Sequence, residues 1–552
     1  MKISLLQKTS GLVMLLLLFA GIKLNAANEI ILNPSGSNST QVIENTFHRL
    51  QVSNVISSFN TLWLNTEKGE FIELMAPSFA KSNKVGAPQL PVISKLVEIP
   101  AGATPEVNII SYDVKEYKLS DFGILQRLLP AQPPQSKSST KKIPFEYNQL
   151  LYETNSFYGE GLARVEVSGY LRGMQLANLV ISPVEYNPVT NTIRIYNNLL
   201  VEIVFAGADK AKTDENKAKT YSPYFKNIYS KVINHQPADA MLDTMSKVPV
   251  KYVIVSDPMF ESALQPFIQW KTKRGFNVIE AYTDNPQVGT TFNSIKAYLQ
   301  NLYTSATAND PAPTFVLFVG DVAQIPAYNC GAHVSDLYYC EYSGDFLPEV
   351  YYGRFSATNV AELQPQISKT LQYEQYLMPD PSFLNEVVMI AGDDASHELT
   401  WGNGQINYGT TYYFNEAHNL VSHTYLQPEP AGANYSQSIQ DDISNGVSYA
   451  NYTAHGSPDG WANPSFGISD VADMTNADKY CLMVGNCCQT NTYNQYTFGE
   501  ALLRAENKGA LGYIGCSNSS YWDEDYWWGV GNGQVVTNHT YETTGLGAYY
   551  RT

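Results

Sequence analysis

Two short apolar runs do most to limit what this 552-residue chain can become. Ser448-Tyr449-Ala450-Asn451-Tyr452-Thr453-Ala454 ends at His455-Gly456-Ser457, and Tyr480-Cys481-Leu482-Met483-Val484-Gly485 ends at Asn486-Cys487-Cys488. Runs of this length, closed by Gly-containing turns, predict two buried strands of a parallel sheet with a crossover between them. Open parallel sheets gather their chemistry just beyond the carboxyl ends of their strands. His455 and Cys488 both stand there. A thiol attacks an amide carbonyl as thiolate, and a nearby imidazole takes its proton and later gives it to the leaving amine. Gly456 would let backbone N–H groups come close to a developing oxyanion. A plainer reading, a buried His and a small apolar Cys in an ordinary core, is open to the same residues.

The period of the apolar pattern divides the chain. From Val250, strand-like runs (Val250–Val255, Asn277–Tyr282, Thr314–Val319, Glu386–Ala391) alternate with helical ones (Glu261–Arg274, Asn293–Tyr303, Val360–Leu377). That alternation predicts a parallel sheet with helices on both faces. From about Asn28 to Phe205 the pattern is strand-like instead. Arg164–Tyr170 and Thr192–Tyr196 alternate with period two, Leu199–Phe205 is more continuously apolar, and Pro130-Ala131-Gln132-Pro133-Pro134 reads as an extended loop. An all-β sandwich is expected there. It contains no Cys and no clustered His or carboxylate set. Between the halves, Lys210–Lys219 is polar and lysine-dense, a linker by composition. At the front, Lys2 and Lys8, the apolar run Leu12–Ala20 and Leu24-Asn25-Ala26-Ala27 predict a secretory signal peptide over 1–26. No later stretch approaches the roughly 20 apolar residues of a membrane span. An exported, soluble protein is expected.

Charge is uneven. Residues through Lys231 carry 23 Lys and Arg against 19 Asp and Glu, a net +4; the remainder carries 12 against 33, a net −21. Such a pair favours association, and the acidic half argues against nucleic-acid binding. Of 26 lysines only eight follow Lys231. The six cysteines show no Cys-x-x-Cys pair, so neither a zinc site nor a dense disulfide framework is expected. Cys487 and Cys488 are adjacent and on a strand would point to opposite sides, so only one can face His455. A third group should orient the imidazole. Asp393 and Asp394, at the end of Val387–Gly392, are both open to that role or to helix capping. Asp523-Glu524-Asp525, read alone, is a solvated acidic loop. Ser343-Gly344-Asp345-Phe346-Leu347-Pro348-Glu349 places oxygens at alternating positions and suits either a hard cation or a plain acidic turn.

Asn451–Ser457, Gly485–Cys488 and Tyr521–Tyr526 together resemble the gingipain family of secreted cysteine peptidases, of the caspase-like clan, and its lysine-directed branch most of all. The likeness extends from about Val250 to the chain end and more loosely over the front half. It implies an all-β inhibitory prodomain followed by an α/β caspase-like catalytic domain, with a parallel sheet and flanking helices. The expected division is a signal peptide (1–26), a propeptide ending in the lysine-rich linker (27–231), a first α/β subdomain (232–381) and a second carrying the site (382–552). The resemblance assigns Cys488 as nucleophile, with Cys487 packed inward, and His455, Gly456 and Asp394 as its catalytic partners. It assigns Thr453, Tyr521, Trp522 and Asp525 to the primary pocket, where a carboxylate would meet the substrate's ammonium. It also implies a structural calcium ion on Ser343, Asp345, the Leu347 carbonyl and Glu349; the family has Asp where this chain has Ser343, which should weaken the site. No organic cofactor is expected. Substrates would be proteins or peptides, and the propeptide an intramolecular inhibitor released by cleavage after Lys217, Lys219, Lys226 or Lys231. The family continues beyond the pocket loop, so this chain reads as a C-terminally incomplete piece of a secreted or cell-surface enzyme. The alternatives are arginine specificity, or a non-catalytic secretion or adhesion protein on the same scaffold.

Overall fold

A computed structural model describes residues 29–550 apart from 78, 140–142, 238–248, 534, 542–543 and 546. The expected signal peptide, 1–26, lies outside the described residues. From 29 to 206 the described residues form three mainly antiparallel sheets. Their inward side chains, among them Leu50, Val52, Ile72, Ile93, Leu179 and Val201, make one core. The two stretches read separately around Asn197 belong to one strand, Thr192–Ala206. The alternation breaks there because the register with Thr104–Lys118 shifts at Asn197, a bulge, and Asn198 takes a φ of 48°. The strands Ala163–Leu171 and Met174–Ile181 form a hairpin. Arg172 (φ 51°) and Gly173 (φ 73°) turn it, both in the left-handed region that tight hairpin turns demand.

The lysine-dense segment read as a linker is a helix, Lys210–Thr220. The Asp209 side chain caps it through the Lys212 N–H. Lys217 is buried, pairing with Glu98 at 2.7 Å and donating to the Gln236 carbonyl at 2.7 Å. Thr220 Oγ1 donates to the Arg172 carbonyl at 2.6 Å. Composition misleads here because the polar face of this helix finds its partners inside the protein rather than in water.

The remainder is the expected α/β domain, built on two parallel sheets. The first runs Asn277–Tyr282, Lys251–Ser256, Phe315–Val319, Tyr351–Phe355. Leu264 and Phe267 of helix Glu261–Lys273 and Leu363 and Ile367 of helix Val360–Glu374 cover one face. Ile295 and Leu299 of helix Phe292–Thr304 cover the other. The second sheet runs Val421–Tyr425, Glu386–Ala391, Tyr449–Thr453, Cys481–Asn486, Ala510–Gly515. Its three central strands are almost wholly buried, as a sheet covered on both faces requires. Lys369, on helix Val360–Glu374, joins the subdomains by donating to the Leu502, Ala505 and Lys508 carbonyls. Because Tyr449–Thr453 lies between Glu386–Ala391 and Cys481–Asn486, the three strands end side by side. Their ends deliver Asp394, His455 and Cys488 to one place.

Candidate active site

His455 follows the Tyr449–Thr453 strand, and its Nε2 lies 2.8 Å from Asp394 Oδ2. The other oxygen, Oδ1, accepts the backbone N–H groups of Ser396 and His397 and faces the His397 Nδ1, each at 2.9 Å. Burial pushes the Asp394 carboxyl up, but the hydrogen bonds from His455, His397 and Ser396 outweigh it and bring the group down to about 2. Asp394 is therefore a carboxylate near neutral pH, and the ring nitrogens facing it are donors. His455 Nε2 carries a proton and its Nδ1 is left as the basic nitrogen. Asp393, the other carboxylate the sequence left open, turns away and accepts from Asn463 Nδ2 at 2.8 Å.

Cys488 is buried just beyond the Cys481–Asn486 strand. Its sulfur accepts the Ser520 N–H at 3.3 Å and lies 3.8 Å from Ser520 Oγ. Its hydrogen-bonding contacts among the described residues are all to Ser520, none to the imidazole. Cys487 is packed in the core with Trp461 and Phe498, and burial pushes its thiol up. A Cβ on Gly456 would come within 2.7 Å of the Cys487 sulfur and 2.9 Å of the Cys488 carbonyl. Only glycine lets the two strand ends approach this closely.

The pocket is filled from the β-rich front half of the chain. After the Pro130–Pro134 loop the chain runs antiparallel beside Ser519–Trp522. The Lys137 N–H donates to the Ser520 carbonyl at 2.9 Å, and the Trp522 N–H donates to the Gln135 carbonyl at 3.2 Å. The Lys137 side chain is wholly buried. Its ammonium meets Asp525 Oδ2 at 2.7 Å, the Asn486 carbonyl at 2.8 Å and Thr453 Oγ1 at 3.3 Å, and lies 4.6 Å above the Trp522 ring. Three oxygens and an aromatic face suit a compact ammonium with three donors. Thr453, Trp522 and Asp525 thus converge on one cation. Tyr521 is half-exposed at the rim and pairs with Ser136. Asp523 turns away, accepting from Trp401 Nε1 at 2.7 Å.

Sequence reasoning missed Lys137, Ser520 and the Asn486 carbonyl. Backbone groups leave no side-chain signature. Lys137 had one: a lysine among small residues, directly after a Pro-rich extended stretch.

The expected calcium ligands take other partners. Glu349 accepts the Ser343 hydroxyl at 2.7 Å and the Tyr342 N–H at 2.8 Å. Asp345 accepts the Leu347 N–H at 2.9 Å and, from the prodomain hairpin, the Tyr170 N–H at 2.6 Å. Burial, with the Asp345 charge adding to it, raises the Glu349 carboxyl to about 7. All four carboxylate oxygens thus accept hydrogen bonds from the chain itself, contacts that a hard cation would have to share or displace.

A model of peptidase family C25 matches residues 246–549, and a model of the C25 propeptide matches residues 36–233. Lys-gingipain W83 of Porphyromonas gingivalis is 38% identical over 548 residues, covering 97% of this chain and 31% of that protein. Gingipain R2 of Porphyromonas gingivalis is 28% identical over 451 residues, covering 78% of this chain and 58% of that protein. A solved structure described as "Structure of Protease" superposes with a TM-score of 0.52 at 41% identity, covering 55% of this chain and 67% of its own. The chain thus spans about a third of the length of the first relative.

Proposed function

The chain belongs to peptidase family C25, and on that premise we propose that it is the zymogen of a cysteine endopeptidase that cleaves after lysine. The burial of the Lys137 ammonium against Asp525, Thr453 and the Asn486 carbonyl carries this reading. Lys137 lies as a substrate lysine would, and Ser520 touches both its backbone and the Cys488 sulfur. In the proposed reaction His455 Nδ1 takes the thiol proton and Cys488 attacks the carbonyl carbon of the bound lysine. The C–N bond breaks as the leaving amine takes that proton. Water then hydrolyses the thioester. Asp394 holds the imidazole in the tautomer that leaves Nδ1 basic and stabilises the imidazolium. This chemistry calls on no organic cofactor.

The prodomain is the inhibitor in this reading, and its release follows from cutting the segment behind it. Lys217 is buried and ion-paired, and Lys219 is half-buried in the same helix with its carbonyl accepting the Ala312 N–H at 2.8 Å, whereas Lys226 and Lys231 are exposed. Cleavage is therefore assigned to one of these two, close to where the propeptide match ends at residue 233. Export through a leader at 1–26 belongs to the same proposal; among the described residues no helix is long and apolar enough to cross a membrane. The test is hydrolysis of fluorogenic peptides ending in Lys or Arg by the wild-type chain and by Lys137→Ala. The unprocessed wild type should be silent, and Lys137→Ala should cleave the lysyl peptide. Equal cleavage of the arginyl peptide would refute lysine specificity.

A further inference from the structure

Behind the pocket wall the His397 ring makes two unlike contacts. Its Nδ1–H donates to Asp394 Oδ1, the oxygen that His455 does not use. Its face lies on the Trp522 indole, with centroids 4.5 Å apart and planes 6° apart, and Trp401 packs edge-on behind it. The residue is buried. Trp522 meets the His455 ring edge-on at 5.5 Å and also carries the Lys137 ammonium. One imidazole thus touches both the acid behind His455 and the wall of the lysine slot.

We propose that His397 is a positioning residue for the peptidase reaction, fixing the Asp394 carboxylate toward His455 and the Trp522 ring toward the substrate's lysine from a single support. The inference rests on the peptidase reading above. A carboxylate with one engaged oxygen is free to rotate out of line with its imidazole partner. Here Oδ1 is pinned by two backbone N–H groups from one side and by the His397 ring from the side on which Trp522 stands. The stack then sets where the indole lies, and with it the width of the slot. The titratable groups around the ring are Asp394, Asp393 and Glu398 on its own loop, and His455 from the neighbouring strand. Asp523 lies behind Trp401, and Lys137 joins them while the pocket is plugged. Of these, Asp394, His455 and Lys137 also take part in the proposed reaction or its inhibition.

Two substitutions separate the contacts. His397→Phe keeps a ring on Trp522 and loses the donor; His397→Asn keeps a donor near the Nδ1 position and loses the ring. With processed enzyme and a lysyl peptide, His397→Phe should lower kcat about tenfold, the low end for a hydrogen bond to a charged group, with KM nearly unchanged. It should also displace the pH midpoint of Cys488 alkylation by iodoacetamide. His397→Asn should do the reverse, raising KM while kcat and the alkylation midpoint stay near wild type. Both variants losing thermal stability alike, with kinetics and alkylation unchanged per folded molecule, would overturn the proposal, as would equal kcat losses in both. Processed wild-type enzyme that cleaves no lysyl peptide would instead overturn the peptidase reading. The alkylation profile needs no peptide and would still decide for or against His397.

Discussion

Cys487 and Cys488 are chain neighbours in different surroundings, one sealed in the core and one against Ser520 below the prodomain strand. Cys488→Ala should abolish both lysyl-peptide hydrolysis and active-site alkylation. Cys487→Ala should keep both and lose only stability, since it removes one small buried group. Mass spectrometry after iodoacetamide treatment checks this directly. Asp525 separates specificity from chemistry. Removing one partner of a buried charged pair costs about 2–5 kcal/mol, roughly 30- to several-thousand-fold in rate. Asp525→Asn should therefore lose that much kcat/KM on lysyl substrates while Cys488 alkylates as before; unchanged lysyl cleavage would remove Asp525 from the pocket. These side chains were legible in the sequence because each stands in a contiguous motif at a strand end or turn. The choice between Asp393 and Asp394 was not, because it depends on the path of the chain after Ala391. That path turns Asp394 toward His455 and Asp393 toward Asn463.

Two prodomain elements grip the catalytic domain at separate places. The extended segment around Lys137 fills the pocket, and the tip of the Ala163–Ile181 hairpin docks on the first subdomain. There Arg172 is 1% exposed, donates to the Pro313 and Glu349 carbonyls at 2.6 and 3.1 Å, and stacks over Phe225 and Tyr303. Gly169 beside it has no room for a Cβ, which would meet Asp345 Oδ2 at 2.4 Å. Arg172→Ala leaves two buried carbonyls unpaired, at about 1–3 kcal/mol each. It should weaken docking by about 2–6 kcal/mol on that count, read as earlier processing and faster loss of the prodomain on a sizing column, while activity of the processed enzyme stays the same. A docking constant equal to wild type would show that the hairpin tip holds nothing. At this scale the alternating strands and helices were readable, since period and length report burial. Helix Lys210–Thr220 and the plug segment around Lys137 were not: polar composition says loop unless the partners that satisfy it are known.

The whole molecule joins a basic prodomain to an acidic α/β domain, and the Glu349 region lies in the seam between them. Glu349 titrates near 7 in the fold, above its ordinary value of 4.5. Between those two pH values the unfolded chain gives up the proton while the folded chain keeps it. The contribution of Glu349 to stability therefore falls as the pH rises from about 4.5 to about 7, then levels off. Glu349→Gln carries no such charge, so its Tm relative to wild type should climb across that window; parallel Tm curves would place the titration elsewhere. The Lys137 plug has one more consequence, a matter of mass action. While the chain is whole, plug and slot share one molecule, and their effective concentration, set by the tether, is on the order of millimolar for a short flexible connection. One cut behind the plug turns the same contact into a bimolecular one. Latency then depends on how much prodomain the surroundings hold. A nicked zymogen would stay silent where it is crowded and wake as it spreads, so that dilution itself becomes the activating signal.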